Sequence, residues 1–250
     1  MEQLRVENLK KVYGEKEVVK GITYTIHAGE IVGLLGANGA GKSTSIRMIT
    51  GIEKPSEGGV FYEGKETTSQ MEKYQKEIGV VPQEIALYSD MSAYDNVKFF
   101  CSLYGFNGKE LKDRVKEALC FTGLWEHRKE APKGYSGGMK RRLNIACSIA
   151  HSPKLLIMDE PTVGIDPQSR NHIMETIKEL NRRGTTIVYV SHYMEEVEQL
   201  CSRIILMDEG SLIEDCSKED LKEKYRAAGM NTLEDIFLYI TGKELRDGEE

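Results

Sequence analysis

The fold is decided by residues 31–44, which read Ile31-Val32-Gly33-Leu34-Leu35-Gly36-Ala37-Asn38-Gly39-Ala40-Gly41-Lys42-Ser43-Thr44. The stretch opens with a continuous apolar run bounded by glycine, which predicts a strand buried on both faces of a mostly parallel sheet. The rest follows the pattern G-x-x-x-x-G-K-S, and a helix is predicted over 43–50. A buried strand, a glycine-rich turn and a helix in this order predict a phosphate-binding loop.

The residue types in this loop have a physical reason. Glycines let the backbone curl until successive N–H groups face one anion, and the helix N-terminus adds positive potential. Lys42 is expected to reach the β- and γ-phosphates of a nucleotide, and the Ser43 hydroxyl to bind Mg²⁺. The alternative is a chance glycine-rich turn, which the flanking strand and helix disfavour. The predicted binding residues are Gly36, Asn38, Gly39, Ala40, Gly41, Lys42, Ser43 and Thr44.

A second predicted strand ends in two carboxylates. The apolar run Leu155 to Met158 is followed directly by Asp159 and Glu160. In doubly wound sheets ligands bind at the carboxyl ends of strands, so both acids are expected at a nucleotide site. Asp159 is predicted to hold Mg²⁺, through water, and Glu160 to accept a proton from an attacking water molecule. The alternative is a strand that ends in a solvated acidic turn.

Further apolar runs and helical patterns give the chain an α/β organisation. Strands are predicted over 3–9 and 18–26, and further buried strands over 78–81, 187–190 and 204–207. Residues 92–152 contain helical patterns, at 109–121 and 139–150, and no convincing strand. We therefore predict one domain over 1–250: a nucleotide-binding core (1–91 and 153–210), an inserted helical subdomain (92–152) and a small C-terminal appendage (211–250).

Composition excludes several classes of protein. The 250 residues include 34 Lys+Arg, 40 Asp+Glu and 40% hydrophobic residues, which is ordinary for a folded protein and lacks the basic surplus of a nucleic-acid binder. No uncharged stretch is long enough for a transmembrane helix, and the N-terminus lacks the apolar core of a secretory signal. The five scattered cysteines are expected to be free thiols, without structural zinc. We expect a cytoplasmic protein.

Another motif narrows the family. The segment Tyr135-Ser136-Gly137-Gly138-Met139-Lys140-Arg141 heads a predicted helix and precedes the acidic strand. It resembles the signature motif of the ATPase subunits of ABC transporters. The phosphate loop, Gln83, this signature, Asp159-Glu160, Ile165-Asp166 and His192 stand in the order found in that family. The resemblance implies a P-loop NTPase core with a mostly parallel sheet, an N-terminal antiparallel β subdomain and an inserted α-helical subdomain.

The resemblance also implies a role for single residues. Tyr13 resembles the aromatic residue that stacks on adenine, although it could be an ordinary turn tyrosine. Gln83 resembles the glutamine that touches Mg²⁺ or the lytic water, and His192 the histidine that contacts the γ-phosphate. Asp166 resembles the aspartate that communicates across the dimer. The residues that resemble the site for the partner subunit's ATP are Ser136, Gly137 and Gly138, and Ser136 could equally be a plain helix cap.

Departures from the common family pattern point to one branch. Tyr135 and Met139 stand where family members commonly have Leu and Gln, and Ile165 where they have Leu. The signature YSGGM, with basic residues after it, resembles systems that export drugs, antibiotics and lipids. The segments 232–238 and 241–245 resemble the C-terminal ending of the same branch.

The resemblance implies an ATP-hydrolysing subunit that clamps two ATP molecules as a homodimer, or as a heterodimer with a similar subunit. It would drive a separate permease for export, from the inner face of the cell membrane. One alternative is a soluble ABC-type ATPase that acts on nucleic acid or ribosomes, which the missing coiled coil, the single cassette and the neutral-to-acidic charge disfavour. Another is a regulatory nucleotide-binding module without turnover, which the intact Glu160 and His192 disfavour.

Overall fold

The computed structural model describes residues 1–242 of the chain. In chain order, its strands and helices are β1 (Glu2–Tyr13), β2 (Lys16–His27), β3 (Ile31–Leu35), α1 (Lys42–Ile49), β4 (Glu57–Tyr62), β5 (Lys65–Glu66), α2 (Met71–Glu77), β6 (Ile78–Val81), α3 (Ala93–Ser102), α4 (Gly108–Phe121), α5 (Gly137–Ile149), β7 (Leu155–Asp159), α6 (Pro167–Arg182), β8 (Thr186–Val190), α7 (Met194–Leu200), β9 (Arg203–Asp208), β10 (Ser211–Ser217), α8 (Lys218–Arg226) and α9 (Leu233–Thr241). These elements form two compact units. The first contains residues 1–75 and 186–242, and the second contains residues 76–185.

The first unit contains an antiparallel sheet in the strand order β2-β1-β4-β5. Within β1, the side chains of Leu4, Val6 and Leu9 are fully buried. The register between β1 and β4 shifts between Glu7 and Lys10, as at a β-bulge. The predicted N-terminal antiparallel sheet is confirmed, and β4 and β5 extend it.

The same unit contains parallel strands that carry the phosphate loop. Strand β3 pairs in parallel with β8 on one side and with β9 on the other, and β9 forms an antiparallel hairpin with β10. All residues of β3 and β8 are buried, which explains why both strands are continuously apolar. The prediction of a buried, mostly parallel sheet is confirmed.

The second unit pairs β6 with β7 in parallel and contains helices α3 to α6, of which α5 packs against β6. Helix α4 buries the face that the sequence predicted, formed by Leu111, Val115, Ala118 and Leu119. Between residues 92 and 152 the structure has helices and no strand, as predicted. The mixture of parallel strands and helices confirms the α/β class.

The C-terminal part of the described chain is helical. Helix α8 is capped by Ser217, and α9 begins with a capping box in which Thr232 and Asp235 satisfy each other's backbone N–H groups. Helix α9 buries Leu233, Ile236 and Phe237. Of the second predicted C-terminal segment, 241–245, residues 243–245 lie outside the described range. Within residues 1–242, no helix has the length and apolar character needed to cross a membrane.

Candidate functional site

The predicted phosphate loop, residues 36–44, connects β3 to α1 in the first unit. A Cβ atom on Gly36 would overlap the carbonyl group of Met207, and Gly41 has a φ of 98°, so both positions require glycine. The side chain of Lys42 is buried, and its Nζ donates hydrogen bonds to the carbonyls of Gly36 at 2.6 Å and Ala37 at 3.1 Å. The ammonium group is therefore fixed against the loop that is expected to surround the phosphates.

The remaining loop residues differ in exposure. Asn38 and Gly39 are exposed, whereas Ala40 is buried. Ser43 is exposed and Thr44 half-buried in the first turn of α1. The sequence of that turn contains no carboxylate, so nothing within it offsets the positive end of the helix dipole. The start of α1 thus offers hydroxyl groups and positive potential to an anion.

A glycine that sequence patterns did not single out anchors this loop. The N–H of Gly210, in the β9–β10 turn, donates to the carbonyl of Ala40 at 3.1 Å. The carbonyl of Gly210 accepts from the N–H of Lys20 at 2.8 Å, which ties the loop to β2. Gly210 has a φ of 83°, and a Cβ atom there would overlap the carbonyl of Val18. The sequence signal was only a glycine after a predicted strand, which is typical of any turn.

Tyr13, the predicted adenine-stacking residue, lies at the end of β1 with 45% of its surface exposed. Its hydroxyl donates to Glu53 at 2.5 Å, and the same carboxylate pairs with Lys11 at 2.9 Å and Arg47 at 3.3 Å. The hydrogen bond from Tyr13, together with Lys11, lowers the pKa of Glu53, and the same bond raises the pKa of Tyr13. Glu53 was not predicted, and it restrains the ring of Tyr13 while leaving much of it exposed.

His192 follows β8 in the same unit and is half-buried, with its ring 4.5 Å from that of Tyr193. The loop around it is organised by Glu196, a buried carboxylate that accepts hydrogen bonds from Tyr189 at 2.6 Å and Ser191 at 3.4 Å. Ser191 in turn accepts from the N–H of Tyr193 at 3.0 Å. Glu196 was not predicted, since a carboxylate in a helix is normally solvated.

The second unit brings two of the predicted catalytic residues together. The Nε2 atom of Gln83, just after β6, donates to Oε2 of Glu160 at 3.1 Å. Asp159 is the last residue of β7 and is half-buried, like Glu160. Glu160 has a φ of 48°, a left-handed conformation that costs free energy in a residue with a side chain. Backbone outliers of this kind are common at functional sites.

The signature residues form the N-terminus of α5 in the same unit. Ser136 caps this helix, since its Oγ accepts from the N–H of Met139 at 3.2 Å. Gly137 is exposed and Gly138 is buried. A Cβ atom on Gly138 would overlap Ser169 of α6, so this glycine also lets the two helices pack closely. The capping role weighed for Ser136 is therefore observed, and it is compatible with an anion site at the same helix end.

Tyr135 and Asp166 flank this helix end. Tyr135 is buried, and its hydroxyl donates to the carbonyl of His127 at 2.8 Å, a contact that the more common leucine could not make. Asp166 caps α6, and its Oδ1 accepts from the N–H of Ser169 at 2.9 Å. This hydrogen bond lowers the pKa of Asp166. Nothing in the structure explains the methionine at position 139.

A buried arginine that was not predicted holds the segment around Gln83. Arg141 projects from α5 and donates to the carbonyl of Pro82 at 2.9 Å and to that of Gln83 at 2.8 Å. The next residue, Arg142, donates instead to the carbonyl of Thr122 at 3.1 Å, at the end of α4. Sequence patterns could not separate these two arginines, because carbonyl partners leave no mark in the sequence.

The residues predicted to hold Mg²⁺ fit that ion by donor chemistry. Ser43, Gln83 and Asp159 offer a hydroxyl, an amide and a carboxylate oxygen, the ligand types that Mg²⁺ prefers. Because Gln83 directs its Nε2 toward Glu160, its Oε1 is the atom suited to a cation. Among residues 1–242, no cluster of three His, Cys, Asp or Glu side chains is placed to bind a metal ion. Ser43 in the first unit, and Gln83 and Asp159 in the second, thus each offer an oxygen of the kind that binds Mg²⁺.

A buried strand leading into a glycine-rich loop, and a second strand ending in Asp159 and Glu160, define a P-loop nucleotide-binding protein. Comparison with known proteins identifies the family. A profile described as ABC transporter matches residues 19–163. The chain therefore belongs to the ABC transporter family; it is an ATP-binding subunit and an ATPase.

Individual proteins support this assignment. The linearmycin resistance ATP-binding protein LnrL of Bacillus subtilis is 51% identical over 218 residues, covering 87% of this chain and 70% of that protein. The Nod factor export ATP-binding protein I of Cupriavidus metallidurans is 37% identical, covering 87% and 72%. The methionine import ATP-binding protein MetN of Clostridioides difficile is 35% identical, covering 87% and 70%. A solved dimeric ATP-binding cassette, in a post-hydrolysis state with ADP and phosphate, superposes with a TM-score of 0.78 at 28% identity, covering 86% and 98%.

Proposed function

We propose that this ATPase works as a dimer, homodimeric or paired with a similar subunit, and drives a separate membrane permease that exports its substrate. The observation that carries the hydrolytic part is the hydrogen bond of 3.1 Å between Gln83 and Glu160. These two residues were predicted to be catalytic from separate motifs, and in the fold their side chains meet. The roles below follow from the chemistry of each group and from the family pattern.

Residues of the first unit bind ATP in this proposal. The loop amides and Lys42 bind the phosphates, since the lysine lies against the loop backbone. Tyr13 stacks its exposed ring on the adenine. His192 contacts the γ-phosphate from the loop that Glu196 holds in place. Together these contacts orient the triphosphate for in-line attack.

The residues at and near the end of β7 carry out hydrolysis in this proposal. Glu160 accepts the proton of the attacking water, and Gln83 orients both the carboxylate and the water through its carboxamide. Ser43, Gln83 and Asp159 would hold Mg²⁺, which when bound neutralises charge on the phosphate oxygens. The left-handed backbone at Glu160 directs the carboxylate away from the line of the strand.

Dimerisation completes each site in this proposal. Ser136, Gly137 and Gly138 present a helix N-terminus to the γ-phosphate of the ATP bound by the other subunit. Asp166, at the start of α6, lies beside this helix end, with one carboxylate oxygen 3.3 Å from the position of a Cβ on Gly138. ADP lacks the γ-phosphate, so hydrolysis removes the contact and the dimer opens. The dimeric cassette noted above, which holds both ADP and phosphate, supports the dimerisation step.

The substitution Glu160→Gln tests the proposal. We expect the variant to bind ATP, to lose nearly all hydrolysis and to elute as a dimer in Mg-ATP, because the amide cannot accept the proton. Glu126→Gln, an exposed change in the same unit, should keep wild-type turnover. Steady-state phosphate release and light scattering on a sizing column measure both properties. Rapid turnover by Glu160→Gln, or a monomer at saturating ATP, would contradict the proposal.

The permease is proposed to dock on the segment from Glu84 to Tyr104, with the subunit held on the cytoplasmic face of the cell membrane. This segment exposes apolar side chains: Leu103 is 65% exposed and Tyr88 is 47% exposed, with Phe99 packed edge-on against Tyr88 at 5.0 Å. Aromatic side chains are more often part of a core than of an interface, and the exposure of Tyr88 favours an interface here.

A matched pair of variants tests this docking surface. Leu103→Asp should reduce the fraction of the protein that sediments with membranes from the producing cells, because it places a charge in an apolar contact. Ile52→Asp changes an apolar residue of similar exposure, 68%, in the first unit, and should sediment like wild type. Equal sedimentation of both variants with the wild type would remove this segment from the interface.

Export is the finer part of the proposal. The YSGGM signature and the resistance and Nod factor export relatives support it, whereas the import relative at 35% identity shows that overall similarity does not determine direction. In inside-out membrane vesicles that contain the complex, ATP should drive accumulation of the substrate in the lumen. ATP-dependent loss of preloaded substrate would instead indicate import.

A further inference from the structure

The guanidinium group of Arg141 lies almost wholly inside the second unit, and 4% of the residue is exposed. It donates two hydrogen bonds to consecutive carbonyl groups, those of Pro82 and Gln83, at 2.9 and 2.8 Å. Burying a cation is costly unless its hydrogen bonds are strong and well placed. Arg141 therefore holds the backbone of Pro82 and Gln83 in place through these two hydrogen bonds.

Two further residues of α5 form hydrogen bonds with the backbone near Gln83. Ser148 donates to the carbonyl of Val80 at 2.7 Å, and Asn144 accepts from the N–H of Ala86 at 3.4 Å. Positions 141, 144 and 148 lie on one face of a helix, because side chains three and seven residues apart point the same way. One face of α5 thus holds the end of β6 and the segment that follows it.

This face lies on the helix that begins with the signature residues. Ser136 caps α5, and Arg141 follows five residues later, about 7.5 Å along the helix axis. Gln83 connects Arg141 to Glu160. Its backbone carbonyl accepts from Arg141, and its side-chain Nε2 donates to Oε2 of Glu160 at 3.1 Å. A continuous path of hydrogen bonds and helix backbone connects the signature end of α5 to Glu160.

We infer that Arg141 is a positioning residue that couples the signature helix to the carboxylate proposed to activate water. When α5 shifts, Arg141 carries the Pro82–Gln83 backbone with it, and the carboxamide of Gln83 changes its approach to Glu160. Contact between the partner's ATP and the start of α5 would thereby set the geometry for hydrolysis in this subunit's own site. The inference rests on the proposed roles of Gln83, Glu160 and the signature.

Each link between the signature end of α5 and Glu160 is a hydrogen bond or a helix. Coupling along these links predicts a kinetic result that a residue which only stabilises the fold would not give. If Arg141 acts through Gln83, its removal must lower kcat and leave the KM for ATP nearly unchanged. Its effect must also disappear when the side chain of Gln83 is absent. A residue that only stabilises the fold would affect both backgrounds alike.

The experiment compares Arg141→Gln and Arg141→Lys in the full chain, each with Gln83 intact and in Gln83→Ala. Arg141→Gln should lower kcat about tenfold or more with KM within about threefold, since small misplacements of catalytic groups are costly. Arg141→Lys keeps one donor and should lower kcat by a smaller factor of about threefold, so it serves if the glutamine variant folds poorly. In Gln83→Ala neither substitution should reduce kcat further.

Arg142→Gln is the matched control. Arg142 is the next residue of α5 and also donates to carbonyls, but those belong to Thr122 and Gly123. It should keep kcat within about twofold while losing a comparable amount of stability in urea unfolding. Equal kcat in wild type and both Arg141 variants, or equal losses with and without Gln83, would overturn the inference.

One further comparison separates this inference from the proposed function. If Glu160→Gln is inactive while the Arg141 variants hydrolyse ATP at the wild-type rate, the coupling fails and the proposed function stands. If Glu160→Gln hydrolyses ATP rapidly, the proposed function fails first.

Discussion

His151 should make the protein lose stability in mild acid. The residue follows α5, is 5% exposed, and stacks on Tyr104 with ring centroids 3.7 Å apart and an interplanar angle of 6°. Its Nε2 lies 2.9 Å from the carbonyl of Ile78. A carbonyl can only accept, so Nε2 carries the proton of the neutral ring. Burial lowers the pKa of His151 from 6.5 to about 4, since the opposing effect of the hydrogen bond to Ile78 is smaller and the charge of nearby Arg114 also acts to lower it.

The sign and the size follow from this shift. Because the folded-state pKa lies below the unfolded one, the unfolded chain binds a proton that the folded protein rejects. The stability is fully present above about pH 6.5 and is lost as the pH falls toward 4. With pKa values of 6.5 unfolded and about 4 folded, the loss between pH 7 and pH 5 is about 2 kcal/mol.

Urea unfolding at pH 7 and pH 5 measures this loss. Other groups titrate in the same range, so the test is the difference between wild type and His151→Phe, which keeps a ring against Tyr104 but cannot bind a proton. The wild type should lose about 2 kcal/mol more than the variant. His27→Gln, at the exposed end of β2, should behave like the wild type. An equal loss in wild type and His151→Phe would refute the reasoning.

Three further predictions concern the site. Glu53→Ala removes the acceptor of the Tyr13 hydroxyl and should weaken ATP binding about threefold, with no change in affinity for inorganic triphosphate; equal weakening for both ligands in equilibrium titrations would count against it. Gly138→Ala should lower the free energy of unfolding in urea by about 1–3 kcal/mol, because the added methyl group overlaps Ser169. A variant as stable as wild type would show that α6 can move away from α5 at no cost. Asp166→Ala should lower the midpoint of thermal unfolding and Asp166→Asn should lower it much less, because asparagine can still cap the helix; midpoints equal to wild type for both variants would contradict the capping role.

Sequence patterns were strongest where one local rule determines the structure. Strand β3 was predictable because all of its residues are buried, and α4 because its apolar residues repeat at helical spacing. Strand β4 was not predicted, since it contains Gly58, which has a φ of 76° and fits closely against the carbonyl of Asn8. A glycine required by a bulge looks like a turn signal when the partner strand is unknown.

The residues of the candidate site also fall into those that local sequence patterns predict and those that they do not. The phosphate loop, the acidic strand end and the signature were predicted because each is a contiguous motif. Glu53, Arg141 and Gly210 were not, because each acts on a residue or carbonyl distant in the sequence. Long-range partners of this kind emerge only once the chain is folded.

The left-handed backbone at Glu160 has a consequence for evolution and engineering. Asparagine and glycine tolerate such a conformation better than glutamate, so either would relieve local strain. Screens that select only for heat resistance should therefore favour Glu160→Gly or Glu160→Asn, and in the mechanism proposed above both variants would lack the proton acceptor. If the proposed role holds, the left-handed backbone at position 160 is a stability cost of placing a carboxylate at the end of β7.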